Sequence, residues 1–349
     1  MHINIHSILN KVNQLEIFLK DIENLNISII CINEHWLDKS QISILNRIQN
    51  FIVADYTTRD TDIHGGSCIL IKKGTDLEIK VRQDLKVLKE DFSFEISAIE
   101  ILKFNTIVIS IYRTPYNVTL KPFLSKLEKL LSKLNKNNKK KIIITTDCNI
   151  DVLNELDTSE NIDNFKFSKT NNARSLINLI DAYGYKLNFN EPTRITRTSS
   201  TCIDNILTNP NITVSVASTI ETGFSDHKAL LLSFPLPKFQ KNKTITKQLR
   251  CFSQENIKQF SDNLENIDWN LDNCQSVDTN YNSFLSNFLN SFHASFPIVT
   301  KQQIFREFSM KCITPGIIIS SKHRRNLYAK CKETNNIKSI QDYTTYNSI

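Results

Sequence analysis

Isoleucine-rich runs of strand length recur through the first 234 residues, and several stop at a polar residue. Ile27–Asn33, Ile142–Thr146 and Cys202–Leu207 are of this kind, and Ala229–Phe234 is a leucine-rich run of similar length. Apolar runs this short, bounded by polar or turn residues, predict buried strands. His2–His6 and Ile212–Ala217 also read as strands, and Gly65–Gly74 as a strand bounded by glycines. Phe94–Leu102 and Thr106–Tyr112, separated by Lys103-Phe104-Asn105, predict a hairpin. Helical spacing alternates with these runs. Val12, Leu15, Ile17, Phe18, Leu19 and Ile22 share one face. Leu120, Phe123, Leu124, Leu127, Leu130, Leu131 and Leu134 share another, and Ala173–Tyr183 predicts a further helix. A chain with both periods must cover sheet with helix, so its class is mixed α and β with a large sheet content.

At 349 residues there is room for one domain of roughly 200–250 residues and something smaller. Pro235-Leu236-Pro237 and the polar stretch after it mark the boundary. The reading is a main domain over 1–234, a polar linker over 235–250, a helical segment over 251–300 and a basic tail over 301–349. Phe260, Leu264, Trp269, Phe284, Phe288, Leu289 and Phe292 would anchor the helical segment, and Ser320–Lys332 predicts one basic helix. The net charge of +7 sits almost wholly in the tail, which has nine basic and three acidic residues; residues 1–234 hold 28 and 27. A near-neutral main domain neither requires nor excludes nucleic acid, because clustered acids can cancel a basic rim. None of the eight cysteines forms a Cys-x-x-Cys pair, which removes the usual zinc pattern. Buried reduced thiols, no leader-like start and no run near the ~20 apolar residues of a span predict an intracellular, non-secreted protein without a membrane partner.

Five polar constellations stand at ends or interruptions of the apolar runs. Asp226-His227 precedes the strand from Ala229 and could hold an imidazole at a cleft edge. Asp147 and Asn149, two residues apart after Ile142–Ile144, fall on one side of an extended chain. The acid could orient water and the amide could donate to an oxyanion. Glu34 follows the strand ending at Asn33 and is a hard oxygen ligand suited to magnesium. Asp204 interrupts an apolar strand, where an acid must be paired, face solvent or be functional; His227 is a candidate partner. Tyr112 and Arg113 end a strand before Pro115 and could reach a phosphate. Each alone also fits an ordinary turn, strand end or surface loop.

Taken in chain order, Asn4, Glu34, Tyr112, Asp147 with Asn149, Asp204 and Asp226-His227 form a pattern. This order resembles the endonuclease/exonuclease/phosphatase superfamily. Asn33-Glu34-His35-Trp36-Leu37, Tyr112-Arg113-Thr114-Pro115, Thr201-Cys202-Ile203-Asp204-Asn205-Ile206 and Ser225-Asp226-His227 look most like the endonuclease domain of a non-LTR retrotransposon polyprotein. The resemblance covers about residues 1–234. It implies a four-layer α/β sandwich of the deoxyribonuclease type, with two packed mixed sheets flanked by helices, and a C-terminal helical extension. It also implies magnesium, or manganese in its place, on Glu34, with Asn4 and Asp226 completing or adjoining that site. Asp147 would orient the attacking water, and Asn149 and His227 would hold the scissile phosphate. Asp204 would orient His227, and Tyr112 would lie on the phosphate side. The loop Thr193–Thr198 falls where related nucleases meet the DNA minor groove, so Arg194, Thr196 and Arg197, with Arg113, become DNA-binding candidates.

The activity so implied is nicking of double-stranded DNA in the nucleus, leaving a 3′-hydroxyl. Element RNA or a reverse transcriptase would be the partner in a full-length protein. Phe296-Pro297 and Thr314-Pro315-Gly316-Ile317 resemble the region before such a polymerase, whose Tyr-x-Asp-Asp is missing here. Alternatives are an abasic-site repair endonuclease, a superfamily phosphatase, or a decayed remnant that only binds. Thr146-Asp147-Cys148-Asn149 departs from the family's Gly-Asp-Phe-Asn. Poor filling at Cys148 would cost up to ~3–5 kcal/mol.

Overall fold

A computed structural model of the protein describes residues 1–60, 62–75, 77–136, 139–153, 167–235, 245–269, 276–303, 313–334 and 336–347. In chain order its elements begin with β1 (His2–Asn4), α1 (Val12–Asp21), β2 (Ile29–Asn33), β3 (Phe51–Thr57), β4 (Ser67–Lys72), β5 (Ile79–Val81), α2 (Gln83–Lys86), β6 (Glu95–Ile101) and β7 (Thr106–Tyr112). Next come α3 (Leu120–Asn135), β8 (Lys141–Asp147), α4 (Phe167–Ala182), β9 (Lys186–Leu187), β10 (Arg194–Ile195), β11 (Ser200–Thr201), β12 (Asp204–Thr208), β13 (Val216–Ile220) and β14 (Ala229–Ser233). The last are β15 (Ile245–Arg250), α5 (Gln254–Glu265), α6 (Val277–Ser295), β16 (Ile298–Gln303), α7 (Pro315–Thr334) and α8 (Ile337–Asn347).

The strands pair into two six-stranded sheets, ordered β13-β14-β1-β2-β4-β3 and β5-β6-β7-β8-β12-β9. Each has one parallel pair, β1 with β2 and β7 with β8, and is otherwise antiparallel. The pleat sorts side chains into layers. From β2, Ile30 and Ile32 pack with Leu15 and Phe18 of α1 on the outer face. Cys31 faces inward, with Ile69, Ile99, Val108, Ile143 and Ile206 from both sheets. From β8, Ile142 and Ile144 face outward to Phe123, Leu127 and Leu131 of α3 and to Ala173, Leu176 and Ile180 of α4. The order of layers is therefore helix, sheet, sheet, helix. Burying one such side chain stabilises by roughly 1.5–3 kcal/mol, so the apolar runs that mark the strands also drive their stacking.

The hairpin expected around Lys103-Phe104-Asn105 forms, with Asn105 in the left-handed region at φ 49°. Two strand readings change. The strand expected over Ile212–Ala217 lies at Val216–Ile220, on the sheet edge, while Ile212 is a buried loop anchor in the inter-sheet core. β3 was not expected; its bulge between Val53 and Asp55 breaks the alternation that would reveal it. Residues 236–244 of the expected linker lie outside the described residues, whereas Ile245–Arg250 is a strand paired with β16. Cys31, Cys68, Cys148 and Cys202 are buried and free; Cys274 and Cys312 lie outside the described residues. No helix among the described residues is long and apolar enough to cross a membrane.

The chain divides into two compact units, Met1–Pro237 with Phe308–Ile349, and Lys238–Glu307. The second unit is a β-α-α-β arrangement. Ser253 and Ser276 cap its helices, accepting from the Asn256 and Thr279 amides at 3.2 Å each. Phe260 packs on Phe288, Phe292 and Phe296, and Trp269 on Phe284; Phe296 was not among the expected anchors.

Candidate active site

The polar residues at strand ends converge because β1, β2, β7 and β8 all run the same way and finish at one end of the sandwich. Asn4 ends β1 beside Asn33 of β2, and Tyr112 ends β7 beside Asp147 of β8. Asp204 starts the antiparallel β12 directly opposite Asp147. Asn4 joins the two sheets. Its Nδ2 donates to Glu34 Oε1 at 2.8 Å and to Asp147 Oδ2 at 2.7 Å.

Glu34 sits just past β2 with φ 53°, and Trp36 has φ 55°. His6, Ser7 and Asn149 are also left-handed, so unfavourable backbone collects around this one place. The turn at Glu34 is held by Gly65 and Gly66, whose carbonyls accept from the Trp36 and Glu34 amides at 3.0 and 2.9 Å. A Cβ on Gly66 would lie 2.3 Å from the His35 ring, and one on Gly65 2.5 Å from the Arg59 guanidinium. His35 is fully buried. Its Nδ1 accepts from the Leu37 amide at 3.1 Å, so Nε2 carries the proton and donates to the Thr57 carbonyl at 3.0 Å. Burial lowers its pKa to about 4. Trp36 Nε1 donates to Glu34 Oε2 at 3.1 Å, and the Tyr112 hydroxyl interacts with the same carboxylate. Burial, then Glu34 and Asp147, raise the Tyr112 pKa and keep its proton on.

Opposite stands a histidine–aspartate–histidine bridge. His227 Nδ1 lies 2.7 Å from Asp204 Oδ2, and His2 Nε2 lies 3.3 Å from Oδ1. Thr193 Oγ1 donates to Oδ2 at 2.8 Å. Burial alone would raise the Asp204 carboxyl, but His227 and the hydrogen bonds from His2 and His227 hold it low. Burial likewise opposes charge on His227, yet Asp204 lifts it to about 9. The pair is therefore imidazolium and carboxylate at neutral pH. Asp147 behaves in the opposite way: burial and then the nearby Asp204 raise it to about 8. Its Oδ1 accepts from the Asn149 amide at 3.1 Å.

Asn4, Glu34, Tyr112, Asp147, Asp204 and His227 are thus gathered at one place. Asn149 lies beside them, with Nδ2 donating to the Arg113 carbonyl at 2.7 Å. Asp226 is turned towards the basic side of the rim. Its Oδ2 accepts from Arg194 Nε at 2.7 Å, and no hydrogen bond among the described residues joins its carboxylate to Asn4 or Glu34. Arg194 opens the β10–β11 hairpin, which carries Thr196 and the exposed Arg197 on its turn. Arg113 does not fit a DNA-facing place. It is 3% exposed, and its guanidinium donates to the carbonyls of Cys148, Tyr116 and Asn149 and to Thr119 Oγ1. It shapes the Asp147–Asn149 turn instead. The packing defect expected at Cys148 is small as well. The cavity beside it measures about 10 Å³, roughly the least space that holds one water. His2 and Thr193 belong to the site but lack a marking pattern, since their partnerships with Asp204 exist only once the strands assemble, whereas Trp36, inside the motif around Glu34, bonds its near neighbour.

Asp147, Asp204 and His227 offer ligand atoms within 4.8 Å of one another. Asp204 is the poorest of these, because His227, His2 and Thr193 already occupy its oxygens. Glu34 with Asn4 is the better seat for a cation. That pair offers hard oxygen atoms, and Glu34 is held by the neutral Asn4 amide and Trp36 indole, whereas Asp204 is already paired with His227; after burial and Asp204, Glu34 adds to the raised pKa of Asp147. The donor set therefore fits a divalent metal.

A family model described as an endonuclease-reverse transcriptase matches residues 106–231. That stretch contains Tyr112, Asp147, Asn149, Asp204, Asp226 and His227, while Asn4 and Glu34 lie outside it. No curated protein matches the chain. Among solved structures, the AP endonuclease LMAP from Leishmania major is similar over 68% of this chain and 87% of its own, with 10% identity and a TM-score of 0.55. The endonuclease domain of TRAS1, a telomere-specific non-LTR retrotransposon, covers 68% of this chain and 98% of its own, with 14% identity and a TM-score of 0.49. The Xenopus laevis APE2 catalytic domain covers 67% and 90%, with 15% identity and a TM-score of 0.47. The likeness to LMAP places the chain in the four-layer fold, and the family model adds the resemblance to the endonuclease/exonuclease/phosphatase superfamily.

Proposed function

We propose that the chain is a divalent-metal-dependent endonuclease that nicks one strand of duplex DNA, of the kind encoded with a reverse transcriptase. The observation that carries this reading is the junction of Glu34, Asn4 and Asp147, facing the Asp204–His227 ion pair. The match of residues 106–231 to an endonuclease-reverse transcriptase family favours the retroelement role.

Hydrolysis of a phosphodiester needs an in-line water, a proton acceptor for it, and donors to the oxygens that gain charge. Asp147 is the acceptor, oriented by Asn4 and by the Asn149 amide; a cation beside it would offset the burial and neighbouring carboxylates that raise its carboxyl, freeing it to take a proton. His227, charged and fixed through Nδ1 by Asp204, presents Nε2–H to a non-bridging oxygen. Asn149 retains a second amide hydrogen for the same phosphate. Magnesium or manganese on Glu34 and Asn4 would supply Lewis-acid neutralisation of the phosphoryl charge. Water adds to phosphorus, its proton passes to Asp147, and the bond from phosphorus to the 3′-oxygen breaks. That oxygen takes up a proton from solvent, leaving a 3′-hydroxyl and a 5′-phosphate. Arg194, Thr196 and Arg197 on the hairpin would hold flanking phosphates. The site of action would be the nucleus, with element RNA or a reverse transcriptase as partner.

The test is conversion of supercoiled plasmid to open circles in magnesium. Nicking lost with EDTA and reduced at least about 10²-fold in Asp147→Ala supports the reading. A folded chain that leaves plasmid intact overturns it. Strong preference for an abasic site over intact duplex would replace the retroelement role with repair.

A further inference from the structure

Helix α7 belongs to the same compact unit as the site, although about 90 residues separate it from His227 in sequence. Arg325, Tyr328 and Lys332 share one of its faces. All three meet the loop that carries Asp226 and His227, or the helix behind it. Arg325 pairs with Asp21 of α1, and its guanidinium lies 5.4 Å from the Phe18 ring centroid. Phe18 in turn meets Phe224 edge-on at 5.8 Å. Gly223, at φ 74°, permits this approach, since a Cβ there would stand 2.5 Å from Arg325 Cγ and 3.3 Å from its Cα. Two donors then reach the loop backbone. The Tyr328 hydroxyl donates to the Ser225 carbonyl at 3.2 Å, and Lys332 Nζ donates to the Asp226 carbonyl at 3.2 Å. From the other side, Ser225 Oγ donates to the Asn4 carbonyl at 2.7 Å, and the Ile195 amide to the Asp226 carbonyl at 3.3 Å. The loop is thus pinned between β1, the β10–β11 hairpin and α7.

We propose that α7 positions the histidine loop, with Tyr328 and Lys332 as positioning residues that fix the backbone immediately before His227. The basic C-terminal segment is then a working part of the phosphodiesterase, beyond any general attraction for DNA. The catalytic half of this inference rests on the nuclease reading; the structural half does not.

The experiment uses the full chain and four variants: Tyr328→Phe, Lys332→Met, Lys332→Arg and Lys330→Met. Lys330 is exposed on the same helix and serves as the charge control. Amide exchange of residues 222–228 and the nicking kcat and KM are measured together. Tyr328→Phe and Lys332→Met should each speed loop exchange and lower kcat by about fivefold, the worth of one hydrogen bond, with KM little changed. Lys332→Arg should restore both, and Lys330→Met should leave kcat and loop exchange as they were. Unchanged loop exchange in Tyr328→Phe and Lys332→Met overturns the proposal whatever the activity. Faster exchange with full kcat overturns its catalytic half. A wild-type chain without nicking defeats the nuclease reading, and loop exchange still decides whether α7 holds the loop.

Discussion

Trp36 shows how much one indole can govern. Its Nε1–H fixes one oxygen of Glu34 while Asn4 fixes the other, so the carboxylate is aimed before any cation arrives. Groups that orient a ligand typically matter by about 10–100-fold in metal affinity. Trp36→Phe keeps the ring and removes the donor. It should raise the magnesium concentration for half-maximal nicking by about tenfold, read from metal titrations of rate and of metal-induced thermal stabilisation. His35 yields a different measurement. It is neutral when folded, with a pKa lowered to about 4 by burial, whereas an unfolded histidine titrates near 6.5. Between those values the unfolded state binds the extra proton, so stability is intact above pH 6.5 and falls as pH drops towards 4. The loss should approach about 3 kcal/mol, and His35→Gln should flatten that slope in melts taken from pH 7 to pH 4. At this scale the strand-end acids and amides were legible, because a charge breaking an apolar run demands a reason. His2 and Thr193 were not, since only folding brings them to Asp204 across 202 and 11 residues.

The elements that matter most to the site are short. The Gly65–Gly66 segment lies against His35 and Arg59 and supplies carbonyls to Glu34 and Trp36. Gly66→Ala puts a methyl into the His35 ring at φ 90° and should destabilise by about 3 kcal/mol, measured by urea unfolding. It should also weaken metal binding, because the turn bearing Glu34 moves with His35. The central strands were legible from composition, since both faces of β2, β7 and β8 are largely buried and hold near-continuous apolar stretches, while β6 and β12 are buried but interrupted by acids. Edge strands were harder. β13 exposes Val216 and Ala217, and β3 is bulged, so neither keeps a clean period. Ile245–Arg250 has only two apolar residues, Ile245 and Leu249, within a charged neighbourhood, and its partner β16 is more than 40 residues away.

At the scale of the whole molecule, the two compact units should lose structure separately. Unit 238–307 leaves Phe252, Tyr281 and Phe284 substantially exposed and draws its core from one aromatic cluster. It should open at lower denaturant than the two-sheet unit, giving two urea transitions, the first without loss of the inter-sheet core. A single transition followed by fluorescence and by amide exchange in both units would contradict this. Sequence composition placed a boundary near Pro235, and the division into compact units falls after Pro237. It carried no sign that residues after 308 cluster with the first unit, because α7 docks through three side chains whose partners are scattered from Asp21 to Asp226.

The central position of β1 has a consequence for biosynthesis. This three-residue strand lies between β2, made early, and β14, more than 220 residues later. His2 at its start also waits for Asp204 and, through it, His227. At about 5–20 residues per second, a ribosome takes on the order of 10–45 s to travel that distance. Throughout that interval Glu34 and Asn4 can be in place while the imidazole opposite them has not yet been translated. Under the proposed nuclease reading, the site is complete only after Asp204 and His227 have been made.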